Sequence, residues 1–92
     1  VDATRQKPRV SLVPADAFLE VVRVLTRGEE KHGAAGWRLR TSDDYYDAAM
    51  RHALASRSAR LARDEEGYIH LACASANLLL ALAIELLSEK PS

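Results

Sequence analysis

A single cysteine among 92 residues leaves no internal disulfide to form. Cys73 therefore excludes a disulfide-stapled secreted scaffold and points to a reducing compartment. Four glycines and three prolines are too few for a linker, a low-complexity tract or a collagen-like fibre. Neither sign of charge is in excess, because thirteen basic residues balance thirteen acidic ones. A general nucleic-acid coat or a polybasic membrane binder needs a large positive surplus, so both classes are set aside. The residues Val1-Asp2-Ala3-Thr4-Arg5 show no apolar signal core, and the expected location is the cytoplasm. No P-loop, Gly-rich dinucleotide turn, nucleophile elbow or Cys-x-x-Cys pair is present.

What is present is the balance of a soluble globular chain, 48% apolar and 28% charged, long enough for one small core. Ten of the thirteen basic residues are arginine, and six of them fall between Arg38 and Arg63. A guanidinium fork matches the oxygens of phosphate or carboxylate, although ion pairing within the chain and a solvated face account better for most such arginines. Residues 1–13 read as an extended arm, because Pro8 and Pro14 interrupt any helix. Residues 14–92 form the single helical domain. Pro14 suits a first helical position, Asp16 its first turn and Gly33 its left-handed end. Gly28 inside that helix points to close packing. Thr41 and Ser42 before Asp43 and Asp44 start a second helix that runs toward Arg63 and carries Tyr46, Met50, Ala53, Leu54 and Leu61 toward one side.

The third helix is apolar on every side. From Leu71 to Ile84 only Ser75 and Asn77 are clearly polar. Such a helix must be covered all round, and two partner helices cannot enclose it. Its uninterrupted apolar portion is short for a bilayer. The expected architecture is therefore an all-α, three-helix domain whose C-terminal helices pack together in a homo-oligomer.

Several side chains in this frame can carry chemistry. Asp43, Asp44 and Asp47 share a helix edge that could offer oxygens to Mg²⁺, though the first two also suit a helix N-terminus and Asp47 can pair with Arg51. Glu66, His70 and Cys73 fall at helical intervals that could chelate a soft ion such as Zn²⁺, against the simpler reading of a hydrogen-bonded histidine. Asn77 in an apolar helix needs polar partners or costs roughly 1–3 kcal/mol. Trp37, Tyr45 and Tyr46 can stack on a purine or seal the preceding loop against the core.

Four blocks, taken in order, resemble a known viral family. They are Lys7-Pro8-Arg9-Val10-Ser11-Leu12-Val13-Pro14, then Leu25-Thr26-Arg27-Gly28 through Lys31-His32-Gly33 to Trp37, then Tyr45-Tyr46-Asp47-Ala48-Ala49-Met50-Arg51-His52, and Glu65-x-Gly67-x-x-His70-Leu71-Ala72 to Asn77. The family is the dATP/dGTP diphosphohydrolase N-terminal domain family of bacteriophages and metagenomic viruses. The resemblance implies an all-helical domain that binds or acts on purine nucleotides, and it carries over to Asp47, Arg51, His52, Glu65, His70 and Asn77. This chain has His32, Gly36, Arg63 and Cys73 where relatives usually have tyrosine, asparagine, an acid and a second histidine. It also lacks the acid quartet of MazG-type pyrophosphohydrolases. Retained arginines with depleted metal ligands imply phosphate binding more than cleavage.

Two functional expectations follow. In the first, Trp37, Arg38, Arg40, Tyr46, Arg51, His52, His70 and Asn77 hold a purine nucleotide without turnover. In a viral setting that would sequester a cyclic or ADP-ribose-type signal of host defence in the infected cell. In the alternative, the chain is a Mg²⁺-dependent (d)NTP pyrophosphohydrolase, with Asp47, Glu65 and Glu66 on the metal and Asp47, Glu65 and His52 catalytic.

Overall fold

The computed structural model describes residues 7–89. They fold as three α-helices, α1 over Ala15–His32, α2 over Ser42–Ala55 and α3 over His70–Glu89. Short 3-10 turns lie at Val10–Leu12 and Gly36–Leu39. No β-strand forms among the described residues, and one antiparallel bridge between Arg63 and Ile69 pinches the 64–68 turn closed. The all-α class expected from the sequence is the class observed.

Local chemistry sets the helix ends. Asp16 lies in the first turn of α1, and Lys31 and His32 in its last, each facing the dipole end that favours it. Pro14 stands just outside as the N-cap residue, one place earlier than expected. Gly33 closes the helix at φ +82°, donating its N–H to the Glu29 carbonyl at 2.8 Å. A reciprocal capping box starts α2: Thr41 Oγ1 accepts the Asp44 N–H at 3.1 Å, and Asp44 Oδ2 accepts the Thr41 N–H at 3.2 Å.

The second helix stops at Ala55, well short of Arg63. Ser56 is buried and turns its hydroxyl onto the Ala53 carbonyl at 2.7 Å. Arg60 Nη1 donates to the Ser56 and Arg57 carbonyls at 3.2 and 3.0 Å. These donors take up carbonyls that a longer helix would have used.

α2 and α3 form an antiparallel pair. Ser42 at the start of α2 hydrogen-bonds Glu85 near the end of α3, while His52 near the end of α2 meets His70 at the start of α3. Apart from Tyr45, the buried side chains of this pair are small. Tyr45 and Ala49 are buried on α2, and Ala72, Cys73, Ala74, Ala76 and Ala81 on α3. Alanine on facing positions lets two helix axes approach closely and leaves little room for anything larger. α1 lies against α3 through half-buried Val21, Val22, Val24 and Leu25.

Three expectations are corrected here. Tyr46, Met50, Leu54 and Leu61 do not face the core, because each is at least 41% exposed and the narrow seam takes Tyr45 and Ala49 instead. Gly28 does not mark close packing, since a Cβ built there meets nothing within 4 Å. Residues 7–13 are not extended throughout, because Val10–Leu12 make one 3-10 turn with exposed side chains. The remainder of the predicted arm, residues 1–6, lies outside the described residues. By length and composition α3 is also apolar enough to cross a membrane, with mean hydropathy 1.9, which the sequence reading did not grant it.

Candidate functional site

A cleft of about 700 Å³ opens between α1, the 33–40 loop, α2, α3 and the 64–68 turn. That volume lies in the range of small-molecule sites. α1 supplies Arg27, Gly28 and Lys31, and the bare backbone at Gly28 leaves space in the wall. Trp37 and Arg40 come from the loop; Asp44, Arg51 and His52 from α2; Asn77 from α3. The loop is held in place by Tyr45, whose buried hydroxyl donates to the Trp37 carbonyl at 2.7 Å. Sealing the loop is thus the role of Tyr45. The Arg38 guanidinium stands 5.3 Å from the Trp37 ring centroid, a cation–π distance.

Three of the four acids that line the cleft, Asp44, Asp64 and Glu66, are already engaged, and Glu29 is not. Asp44 closes the α2 cap. Asp64 Oδ1 accepts the N–H groups of Glu66 and Tyr68, both at 2.9 Å, and so shapes the turn. Burial pushes the Asp64 carboxyl up, but those N–H groups and the nearby His70 and His52 outweigh it and hold it below the usual carboxylate range. Glu66 bridges to α1, 2.8 Å from Arg27 and 3.4 Å from Lys31, and the Arg27 hydrogen bond keeps its carboxyl low. Arg40 and Arg51 differ from these pairs. Neither has an ion-pair or hydrogen-bond partner among the described residues, and both line the cleft. Their guanidinium forks are free to match the oxygens of an anion.

Below these arginines His52 Nδ1 and His70 Nδ1 stand 2.9 Å apart. One proton can lie between them, with one ring donating and the other accepting. Burial, then the neighbouring His70, pushes His52 below its ordinary value. The unfolded chain therefore takes up a proton first as pH falls below about 6.5. Stability that is present above that pH is lost as it falls toward the lower folded value. Melting followed by circular dichroism should show the midpoint dropping by a few degrees between pH 7.5 and 5.5, and His52→Gln should flatten that slope. Cys73 sits beside this pair with Sγ 3.9 Å from Asp64 Oδ2. Burial and the Asp64 carboxylate push its thiol up to about 11, so it stays protonated and inert.

A family model described as dATP/dGTP diphosphohydrolase, N-terminal, matches residues 1–91. The chain belongs to the dATP/dGTP diphosphohydrolase N-terminal family. A dATP/dGTP diphosphohydrolase of Salmonella phage PMBT28 is 34% identical over 86 residues, covering 94% of this chain. The chain spans only 29% of that relative's length. No solved structure matches. Three of the four blocks that carry the family resemblance reach the cleft: Arg27, Gly28, Lys31 and Trp37 from the second, Arg51 and His52 from the third, and Asn77 from the last.

The sequence-predicted residues of this family domain divide in two. Trp37, Arg40, Arg51, His52 and Asn77 line the cleft, and His70 adjoins it through His52. Asn77 Nδ2 donates to the Cys73 carbonyl at 2.7 Å, leaving its own oxygen to accept. Tyr46 is 53% exposed and does not line the cleft, nor does Arg38, which stacks on Trp37 instead. The metal set does not assemble. Asp47 and Glu65 are exposed and outside the cleft, and Glu66 is held by two cations. Glu66 also precedes α3 rather than sharing a helical face with His70 and Cys73. No group of three or more His, Cys, Asp or Glu side chains suited to a metal ion occurs among the described residues, so the Glu66–His70–Cys73 set expected for Zn²⁺ is not assembled.

Arg60 and Arg63 are engaged with the backbone and do not line the cleft. Arg60 caps α2, and Arg63 Nη1 donates to the Gly67 carbonyl at 2.7 Å. Sequence reasoning missed Arg27 and Lys31 as cleft residues. The available signal was two cations at i, i+4 flanking a helical glycine, a pattern that puts three cleft-wall positions on one side of α1.

Proposed function

We propose that the cleft holds a phosphate-bearing purine nucleotide, or a nucleotide-derived signal of cyclic or ADP-ribose type. The observation that carries this reading is electrostatic. Asp44, Asp64 and Glu66 are engaged within the protein, which leaves Glu29 as the cleft acid without a side-chain partner among the described residues, and the guanidinium groups of Arg40 and Arg51 also have none. Phosphate oxygens match their fork geometry. Trp37 supplies a flat surface for a base, and His52 and the Asn77 oxygen supply hydrogen-bonding edges.

Holding without turnover is favoured by the scatter of Asp47, Glu65 and Glu66. With a relative in a phage, such a domain would act in the cytoplasm of an infected cell and sequester a host-defence signal. The name of that relative favours a second reading, cleavage of dATP or dGTP, with the rest of a longer protein completing the site.

One experiment separates them. Purified protein is incubated with dATP, dGTP, ADP-ribose or a cyclic dinucleotide, with and without Mg²⁺, then desalted, denatured and chromatographed. Recovery of intact ligand supports holding. Release of pyrophosphate and a deoxynucleoside monophosphate in Mg²⁺ supports cleavage. Retention of none of the four ligands, with no pyrophosphate released, overturns both.

A further inference from the structure

Arg27 and Lys31 stand one turn apart on α1, and both line the cleft. Neither is free. Glu66 reaches across from the 64–68 turn and takes both. Its Oε2 accepts from Arg27 Nη2 at 2.8 Å and Nε at 3.3 Å, and its Oε1 accepts from Lys31 Nζ at 3.4 Å. The guanidinium edge formed by Nε and Nη2 suits a carboxylate or a phosphate. Glu30 flanks the far side of Arg27, 3.6 Å from Nη1, and does not line the cleft. Glu66 therefore occupies, as an internal anion, a place where a phosphate group could be received.

The cleft is electrically balanced while Glu66 stays there. Arg27, Lys31, Arg40 and Arg51 are its cations, and four acids offset them. Asp44 and Asp64 are tied to backbone N–H groups, and Glu29 has no side-chain partner among the described residues. Glu66 is the acid whose departure uncovers two cations at once. Its side chain is 40% exposed and those of Arg27 and Lys31 are 35% and 43% exposed, so these pairs are screened by solvent and hold weakly. The turn keeps its shape without them. Asp64 Oδ1 accepts the Glu66 and Tyr68 N–H groups, the Asp64 N–H donates to the Tyr68 carbonyl at 2.8 Å, and Arg63 holds the Gly67 carbonyl. Rotation about the Glu66 side-chain bonds moves the carboxylate into water and leaves the backbone in place.

We propose that Glu66 is a displaceable internal anion that sets the number of phosphates on the cleft ligand. Arg40 and Arg51 receive one phosphate with nothing moved. A further phosphate takes Arg27 and Lys31 by displacing Glu66, because a terminal phosphate carries about two negative charges and three acceptor oxygens against the single charge of a carboxylate. The ligand class is a chain of two or more linked phosphates rather than a monophosphate. This rests on the reading of the cleft as a phosphate site and adds the residue that selects among phosphate ligands.

Isothermal titration of the full chain with inorganic tripolyphosphate, dATP and dAMP tests it, without Mg²⁺. The native protein is compared with Glu66→Gln, Arg27→Gln and Lys31→Gln, and circular dichroism confirms that each keeps its helices. Glu66→Gln and Arg27→Gln break the same ion pair, so a purely structural role moves their affinities together. Displacement moves them in opposite directions. Glu66→Gln should tighten tripolyphosphate and dATP about fivefold and leave dAMP within about twofold, whereas Arg27→Gln should weaken the first two about tenfold. Lys31→Gln should follow Arg27→Gln in sign. Tripolyphosphate or dATP binding that Glu66→Gln leaves unchanged or weakens overturns the proposal, as does equal tightening of dAMP. Two further outcomes part it from the nucleotide reading. Nucleotide binding that depends on Arg40 and Arg51 but ignores Glu66 overturns displacement alone. Tripolyphosphate tightened by Glu66→Gln, with neither nucleotide bound, supports displacement and overturns the nucleotide reading. No binding of any probe to any of the four proteins overturns both.

Discussion

Replacing Arg40 and Arg51 together by alanine is expected to lower affinity for a purine nucleotide about a hundredfold while leaving the melting temperature unchanged. A hydrogen bond to a charged group contributes about 1.5–3 kcal/mol, and each 1.4 kcal/mol is a factor of ten, so the two losses multiply. Stability should hold because neither guanidinium is bonded to another described residue, and both side chains are exposed. Isothermal titration of both proteins with dATP and dGTP checks the affinity. The comparison double variant is Arg60→Ala with Arg63→Ala. Those arginines serve backbone carbonyls at the α2 end and in the 64–68 turn. The predicted pattern for them is reversed, with lowered melting temperature and near-normal affinity.

The largest effect on folding is expected at Ala49. It is 0% exposed and lies in a seam otherwise made of Tyr45, Cys73 and alanines. A leucine there has nowhere to go without parting α2 from α3, which costs about 1–3 kcal/mol. For a domain of this size that lowers the melting midpoint by roughly 5–15 °C. Met50 is the neighbouring residue and 41% exposed, so Met50→Leu should leave the midpoint within about two degrees. Thermal melts of the two variants at one protein concentration give the contrast directly. Equal losses at both positions would mean that the packing described for α2 is rotated.

The sequence was legible where local chemistry decides structure. Asp16 announces a helix start by facing the positive end of the dipole, while Gly33 and the Thr41–Asp44 box announce helix ends because each satisfies an orphan backbone group with atoms nearby in the chain. It misled where tertiary packing decides. Tyr46, Met50 and Leu54 look like a core stripe, yet a seam of alanines on α3 accepts only small partners, and the apolar stripe turns outward. The end of α2 was hidden for a related reason. Arg60 reads as one more cation in a basic stretch, and only its reach back to Ser56 reveals a cap.

The candidate site was legible in its residue types and less so in its geography. Arginine, histidine, asparagine and tryptophan at Arg40, Arg51, His52, Asn77 and Trp37 were singled out by chemistry and do meet in one cleft. Arg38, Tyr46 and Asp47 were singled out on the same chemical grounds but sit elsewhere, because a step of one or two residues moves a helical side chain by 100–200°. The pairing of Arg27 and Lys31 with Glu66 spans 39 and 35 positions. No local pattern encodes that separation.

Trp37 offers the most direct test of the central assignment, because it is the sole tryptophan and lines the cleft. Its fluorescence is titrated with dATP, dGTP, ADP-ribose and a cyclic dinucleotide. A nucleotide stacked in the cleft should quench or shift the emission saturably for at least one of them, and the response should vanish in the Arg40→Ala, Arg51→Ala protein. Emission that stays flat to millimolar concentrations of all four, from protein shown to be folded, would contradict the assignment.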